Sequence, residues 1–249
     1  MKKCRFSEYA KVSKLLSPSA CGAIYPRSVL EGIQPGDVYT DGSAGLIWHY
    51  SGFAFLCGEI TQSLLHTVYS QFLQPNAEQP RRFLLFSEQT DVTAFFAQQP
   101  NLLIEQRQFF SFAGTPQPPA LPSGTQLAEI DSTLLRSLCG RITPSFSWEN
   151  ADSFLQNGKG YCVTVDGAPA AWAFSAAVSA EEIDIGVETG EAFRRKGYAR
   201  AAVSAMIEYI IAQHKKPVWA CHAQNAASGR LAESVGFVQT AECCTVRRT

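Results

Sequence analysis

The sequence predicts an α/β protein, a mixed β-sheet flanked by helices and arranged as two lobes. Three observations carry that expectation. Stretches with the two-residue period of a strand interleave with stretches of helical period through both halves of the chain. A basic, glycine-containing turn separates a strand from a long amphipathic helix within residues 183–205. The one Pro/Gly-dense stretch, residues 113–124, cannot continue a helix or sit in a central strand, so it reads as a linker.

The elements follow in order. Residues 38–40 form a short strand. Residues 46–50 and 53–57 read as a hairpin closed by the two-residue turn Ser51-Gly52. Residues 61–74 carry helical spacing at Leu64, Leu65, Val68 and Phe72, residues 83–86 a buried strand, 90–98 a short helix and 102–112 a strand. Beyond the linker come helices around 129–139 and 148–156, the second ended by Asn157-Gly158. A hairpin of 161–165 and 170–178 turns at Asp166-Gly167, and residues 181–189 alternate polar and apolar as a half-buried strand. In the next segment Ala199, Ala202, Val203, Met206, Ile207, Ile210 and Ile211 fall on one helical face. That helix runs out at His214-Lys215-Lys216, where cations suit the negative end of the dipole, and Pro217 forbids continuation. A strand at 217–223, a helix from Asn225 to Ser234 and a terminal strand after Gly236-Phe237 complete the chain. The expected plan is an N-terminal α/β lobe (1–112), the linker (113–124) and a C-terminal domain (125–249). The order strands, helix, strand, helix, strand recurs in both lobes and points to the first as a degenerate copy of the second.

Bulk properties narrow the function classes. At 249 residues, 46% apolar and 17% charged, the chain can bury a sizeable core. A net charge of -1 argues against a general nucleic-acid binder. No apolar run reaches the length of a membrane span, and Met1-Lys2-Lys3 does not lead into a signal-peptide core, so a cytoplasmic protein with no membrane partner is expected. The eight cysteines form no C-x-x-C pair and match no histidine spacing, so they read as reduced, mostly buried residues, and no metal is expected.

The turn Arg194-Arg195-Lys196-Gly197-Tyr198-Ala199 carries the chemistry. It places three cations where a helix begins, an unfavourable arrangement unless an anion binds there. A helix N-terminus offers unpaired N–H groups and the positive end of the dipole, so the expected ligand is a phosphate or pyrophosphate. The pattern Arg194-x-x-Gly197-x-Ala199, with Asn225-x-x-Ser228 and Gly236-Phe237 after it, resembles the acetyl-CoA pyrophosphate loop and core order of the GNAT superfamily of N-acetyltransferases. Trp148-Glu149-Asn150, residues 158–162, Glu188-Thr189 and Trp219-x-Cys221-x-x-x-Asn225 narrow the likeness to the GNAT acetyltransferase family that includes zwittermicin A resistance proteins. The similarity covers residues 125–249 well and the first half more loosely.

The resemblance implies acetyl-CoA as cosubstrate and transfer of its acetyl group to a primary amine of a small molecule, directly in a ternary complex. Main-chain N–H groups of residues 195–199, with the charges of Arg194, Arg195 and Lys196, would hold the phosphates, Tyr198 being part of that loop. Main-chain N–H from Val187 and Thr189 would meet the cofactor and the thioester oxygen where two strands splay. Asn225 and Ser228 match positions that contact the pantetheine arm, and Trp148 and Glu149 match the region covering the acceptor site. For the base, Glu182, Asp184 and Glu188 share one strand face by period two. Asp184 and Glu188 are the candidates, and solvated strand-end residues are the alternative for Glu181 and Glu182. Many members carry a tyrosine after the leucine matching Leu231, but here that position is Ala232, which leaves the proton donor open between Ser228, Tyr198 and unassisted departure. Cys221-His222 cannot act as a pair, because neighbours on a strand point to opposite faces. Cys243-Cys244 reads as one buried and one exposed residue. Two other readings stay open: a non-catalytic CoA-binding sensor, and an antibiotic-detoxifying acetyltransferase. The resemblance also leaves a homodimer open.

Overall fold

The computed structural model describes residues 1–17, 21–74 and 81–249. The chain divides into two compact units, the first of Met1–Phe109, Cys221–Asn225 and Thr240–Thr249, the second of Phe110–Ala220 and Ala226–Gln239. The division is therefore not a single cut through the chain.

The first unit contains β1 (Lys2–Lys3), α1 (Tyr9–Ser13), α2 (Ile24–Leu30), β2 (Gly36–Thr40), β3 (Ala44–His49), β4 (Phe53–Gly58), α3 (Gln62–Val68), β5 (Leu84–Ser87), α4 (Thr90–Ala97) and most of β6 (Leu102–Phe112). Its strands run β1-β2-β3-β4-β5 in chain order, antiparallel until β4 and β5, which are parallel. Helix α3 widens into a π-turn over Tyr69–Leu73, which ends the helical stretch read at 61–74. Leu46, Trp48, Leu65, Phe72, Leu85 and Phe96 form the centre of its core.

The second unit contains β7 (Thr125–Glu129), α5 (Ser132–Ser137), α6 (Ala151–Asn157), β8 (Gly160–Val165), β9 (Ala168–Val178), β10 (Glu182–Thr189), α7 (Tyr198–Ala212), α8 (Ala226–Ser234), most of β11 (Lys216–His222) and the first residues of β12 (Phe237–Arg248). Its strands run β7-β8-β9-β10-β11, again antiparallel until β10 and β11, which are parallel. Each unit thus has two helices between its first and second strands and one between its fourth and fifth. The antiparallel-to-parallel switch falls at the same step. Both parallel pairs also stop after three residues: Phe53↔Leu84 to Phe55↔Phe86 in one, Glu182↔Lys216 to Asp184↔Val218 in the other. This is the internal order expected of two copies of one fold. Met206, Ile207 and Ile210 of α7 are sealed in the second unit's core. At about 1.5–3 kcal/mol for each fully buried large aliphatic side chain, that stripe holds the helix on its sheet.

Several boundaries differ from the sequence expectation. The stretch read as a helix from 129 to 139 is split, with β7 ending at Glu129 and only Ser132–Ser137 helical. Asp131 supplies the break, its carboxylate accepting from the N–H groups of Thr133 and Leu134 at 2.9 and 2.8 Å, an N-cap that forces extended backbone before the helix. Likewise α6 starts at Ala151 because the Asn150 side chain caps it, accepting from Ser153 N–H at 2.8 Å, so Trp148 and Glu149 lie outside the helix. Gly158 ends α6 in extended, not left-handed, backbone, and its missing Cβ makes room for the Phe154 ring. The hairpin turn spans three residues, 50–52, rather than two. Helices α1 and α2 gave no sequence signal.

One buried group sets an acid limit on stability. His49 is fully buried, its Nδ1 accepting from Ser51 N–H at 3.0 Å, and burial pushes its pKa down to about 3. The unfolded chain takes up a proton near pH 6.5, while the folded one cannot until about pH 3. Stability attributable to this residue is complete above pH 6.5 and falls by about 1.4 kcal/mol per pH unit below it. Urea unfolding between pH 7 and 5 should therefore show a shallower acid loss in His49→Gln than in the wild type; equal slopes would refute this.

Candidate active site

The phosphate-loop residues come together at the start of α7. Arg195 and Gly197 both take left-handed backbone, φ 62° and 83°, with Arg194 extended before them. Helices α3, α5 and α6 are capped by side chains of Thr61, Asp131 and Asn150, whereas α7 has Gly197 at its N-cap and no side-chain cap. The first helical N–H with a backbone acceptor is that of Ala201, which reaches Gly197 at 3.3 Å. The amides ahead of it point out of the helix end, as the geometry of any α-helix requires. Arg194, Arg195, Lys196 and Gly197 are exposed, and Tyr198 and Ala199 half-buried. Among the described residues none of the three cations is ion-paired, and Lys196 Nζ lies 5.8 Å from the Phe193 ring. A Cβ on Gly197 would meet nothing nearer than Pro122 at 4.0 Å. Glycine is needed there for its backbone angle and for open space above the loop. The arrangement suits a pyrophosphate: free N–H groups, unpaired cations and a cleared approach.

The strand splay is present. Beyond Asp184↔Val218, β10 and β11 run on without pairing. Lys216 N–H donates to Glu181 carbonyl at 2.9 Å, and Gly190 N–H donates to Ala170 of β9 at 2.9 Å. Strand backbones alternate, so residues 186, 188 and 190 bond toward β9 while 185, 187 and 189 face the opening. The main-chain groups of Val187 and Thr189 thus point into the gap. Gly186 is not a bulge. The irregularity lies in β9, where Ala176 is the extra residue, and a Cβ on Gly186 would strike the Phe174 ring at 2.7 Å.

Glu188 is held by a segment that the sequence reading did not single out. Its carboxylate accepts from Ile142 N–H at 2.6 Å, and Ile142 carbonyl accepts from the Trp172 indole at 2.8 Å. Gly140 passes so close that a Cβ there would overlap the carboxylate. The side chain is half-buried, with one oxygen fixed and the other left to act as a base. No local pattern could have revealed this contact, since its partners lie 46 residues apart. Asp184 is buried at 5% exposure, deeper than Glu182, as its place in the strand implied.

The other candidates separate. Trp148, expected to face the acceptor, is 1% exposed; its indole donates to Ser175 carbonyl at 2.8 Å and its ring packs on Phe154. It supports the core under the site. Glu149 is exposed just before the α6 cap. Ser228, third residue of α8, accepts from the Trp219 indole at 3.1 Å. Ala232 is fully buried, so the tyrosine position of many relatives here faces the core. Asn225 falls in the first unit and is not placed with the others. Cys221 is buried while His222 is half-exposed against Glu105 at 3.4 Å, and Cys243 is buried beside a half-buried Cys244, as strand alternation requires. No group of three metal-ligating side chains occurs among the described residues, and no helix among them is long and apolar enough to cross a membrane.

Known proteins share this fold. The profile of the GNAT acetyltransferase family matches residues 22–244. A GCN5-related N-acetyltransferase-like protein from Streptococcus suis 89/1591 is similar over 98% of this chain and 99% of its own, at 19% identity and TM-score 0.76. A putative acetyltransferase of the GNAT family from Novosphingobium aromaticivorans covers 90% and 97%, at 18% identity and TM-score 0.61. A tandem GNAT protein from the clavulanic acid biosynthesis pathway covers 98% and 93%, at 11% identity and TM-score 0.60. These likenesses concern the fold. No protein among curated sequences matches at a significant level.

Proposed function

Since the chain belongs to the GNAT acetyltransferase family and is an N-acetyltransferase, we propose that it uses acetyl-CoA to acetylate a primary amine of a small molecule, with both substrates bound together. The observation that carries this reading is the uncapped, glycine-started N-terminus of α7 beside three unpaired cations. We take the two compact units, rather than the continuous ranges 1–112 and 125–249 on either side of 113–124, as two copies of the fold, with the acetyl-transfer machinery in the second.

In this reading the amides of residues 195–199 and the side chains of Arg194, Arg195 and Lys196 hold the pyrophosphate. Val187 N–H donates to the thioester oxygen as it becomes an oxyanion, and Thr189 N–H donates to the pantetheine arm. Glu188, directly or through one water, takes a proton from the ammonium, and Asp184 supports the negative field on the same strand face. The amine nitrogen then forms its bond to the acetyl carbon, the C–S bond breaks, and the nitrogen gives up its remaining extra proton as the thiolate gains one. Ser228 is the hydroxyl we assign to that last step, since Ala232 offers none. Glu149 is left to attract a cationic acceptor.

The test is release of free CoA thiol from acetyl-CoA with a panel of primary amines, including amine-bearing antibiotics. Turnover with a small amine supports the proposal. Tight acetyl-CoA binding without turnover on any amine would favour the sensor reading instead.

A further inference from the structure

The first unit keeps the cleft of the fold but not its chemistry. In the second unit Val187 N–H, three residues past the last β10–β11 bridge, is a main-chain donor that faces the gap. The topologically equivalent position in the first unit, three residues after Phe55 of the last β4–β5 bridge, is Gly58. Gly58 N–H already donates to Leu15 carbonyl at 3.1 Å. The connection from β4 to α3 is three residues long, and its helix start is capped by the Thr61 hydroxyl, which accepts from Leu64 N–H at 3.2 Å. With its oxyanion donor taken and no phosphate loop, this cleft cannot activate an acyl-CoA.

A cavity of about 110 Å³ nevertheless opens at the carboxyl ends of β4 and β5. Such crevices, where strand order switches, are where open α/β sheets bind ligands. Leu16, Phe55, Ile60 and Phe86 give it apolar walls, Phe55 and Phe86 stacking with centroids 4.9 Å apart. Among the described residues of the lining, Glu88 is the one that carries a charge. Two thiols also line it, and neither is anionic at neutral pH. A hydrogen bond with Cys243, then burial and a hydrogen bond with Glu88, push Cys21 up, and burial pushes Cys57 up to about 11.

We propose that this cavity is a second, non-catalytic ligand site for a small primary ammonium ion with an apolar body, its charge at Glu88 and its carbons against Phe55 and Phe86. A cavity of about 150 Å³ holds benzene, so a body of about five carbons fits here.

Isopentylammonium chloride, titrated into the full-length chain and followed by saturation-transfer NMR and calorimetry, tests this. The amine could also enter the acceptor site, so Glu188→Gln is the control. Saturable binding that Glu188→Gln retains and Glu88→Gln weakens at least tenfold supports the proposal. The neutral isostere isopentanol should bind at least tenfold more weakly than the amine and be indifferent to Glu88→Gln. No saturable binding, binding lost in Glu188→Gln but kept in Glu88→Gln, or isopentanol binding as well as the amine would overturn it. None of these outcomes depends on acetyl transfer, so failure here leaves the proposed reaction untouched.

Discussion

Replacing Gly197 with aspartate is expected to abolish acetyl-CoA binding in calorimetry, a loss of at least 100-fold, while the protein stays folded. Two effects combine. Any residue with a Cβ at φ 83° is strained by about 1–2 kcal/mol, a cost that aspartate, tolerant of left-handed backbone, meets at the low end. The new carboxylate would also stand in the space where the pyrophosphate is proposed to lie, against the same N–H groups that would hold it. Because that Cβ meets only Pro122 at 4.0 Å, nothing in the core is disturbed, and the urea midpoint should move little. Gly197→Ala separates the two effects: strain without charge should weaken binding far less. If Gly197→Asp binds acetyl-CoA as well as the wild type, the loop is not the phosphate site and the assignment of the whole cleft fails.

Glu188→Gln should lower kcat by about 100-fold or more, the range for a lost general base, with acetyl-CoA affinity unchanged within about twofold. Glutamine keeps the shape and an oxygen for Ile142 N–H, so the 140–142 segment stays in place. Loss of turnover then reports proton transfer rather than collapse. Unchanged turnover would move the base to Asp184 or to solvent. Gly140→Ala should give a smaller kcat loss by displacing the carboxylate, since its Cβ would occupy the same space.

Much of this was legible in the chain. The helix 198–212 and the strand 182–189 obey one period each over a long span, so the strand fell within a residue of its expected ends and the helix stopped two residues short of His214. The loop 194–199 was legible for a different reason: it breaks a rule. Cations at a helix start are unfavourable unless something pays for them, and that conflict points outward to a ligand. By contrast β7 was hidden, because a half-exposed strand of Thr, Gln, Leu, Ala and Glu alternates too weakly to stand out and is defined by pairing with β8. Helices α1 and α2 were hidden because they are short and owe their form to packing. Trp148 was read at the acceptor site because the match to the family was local, and only burial under α6 shows which way the ring turns.

By itself the sequence determined most of the elements, the repeated order of the two halves, and a basic glycine-containing turn at the start of α7, since all three rest on contacts between near neighbours in the chain. The tertiary structure alone decided that β10 and β11 part after three residue pairs and that Val187 and Thr189 face the gap. It also decided that Glu188 is gripped by Ile142, and that the same gap in the first unit is closed by Leu15. Each of these depends on groups far apart in sequence meeting in space, and hydrogen bonds of that kind leave no period, cap or motif behind them.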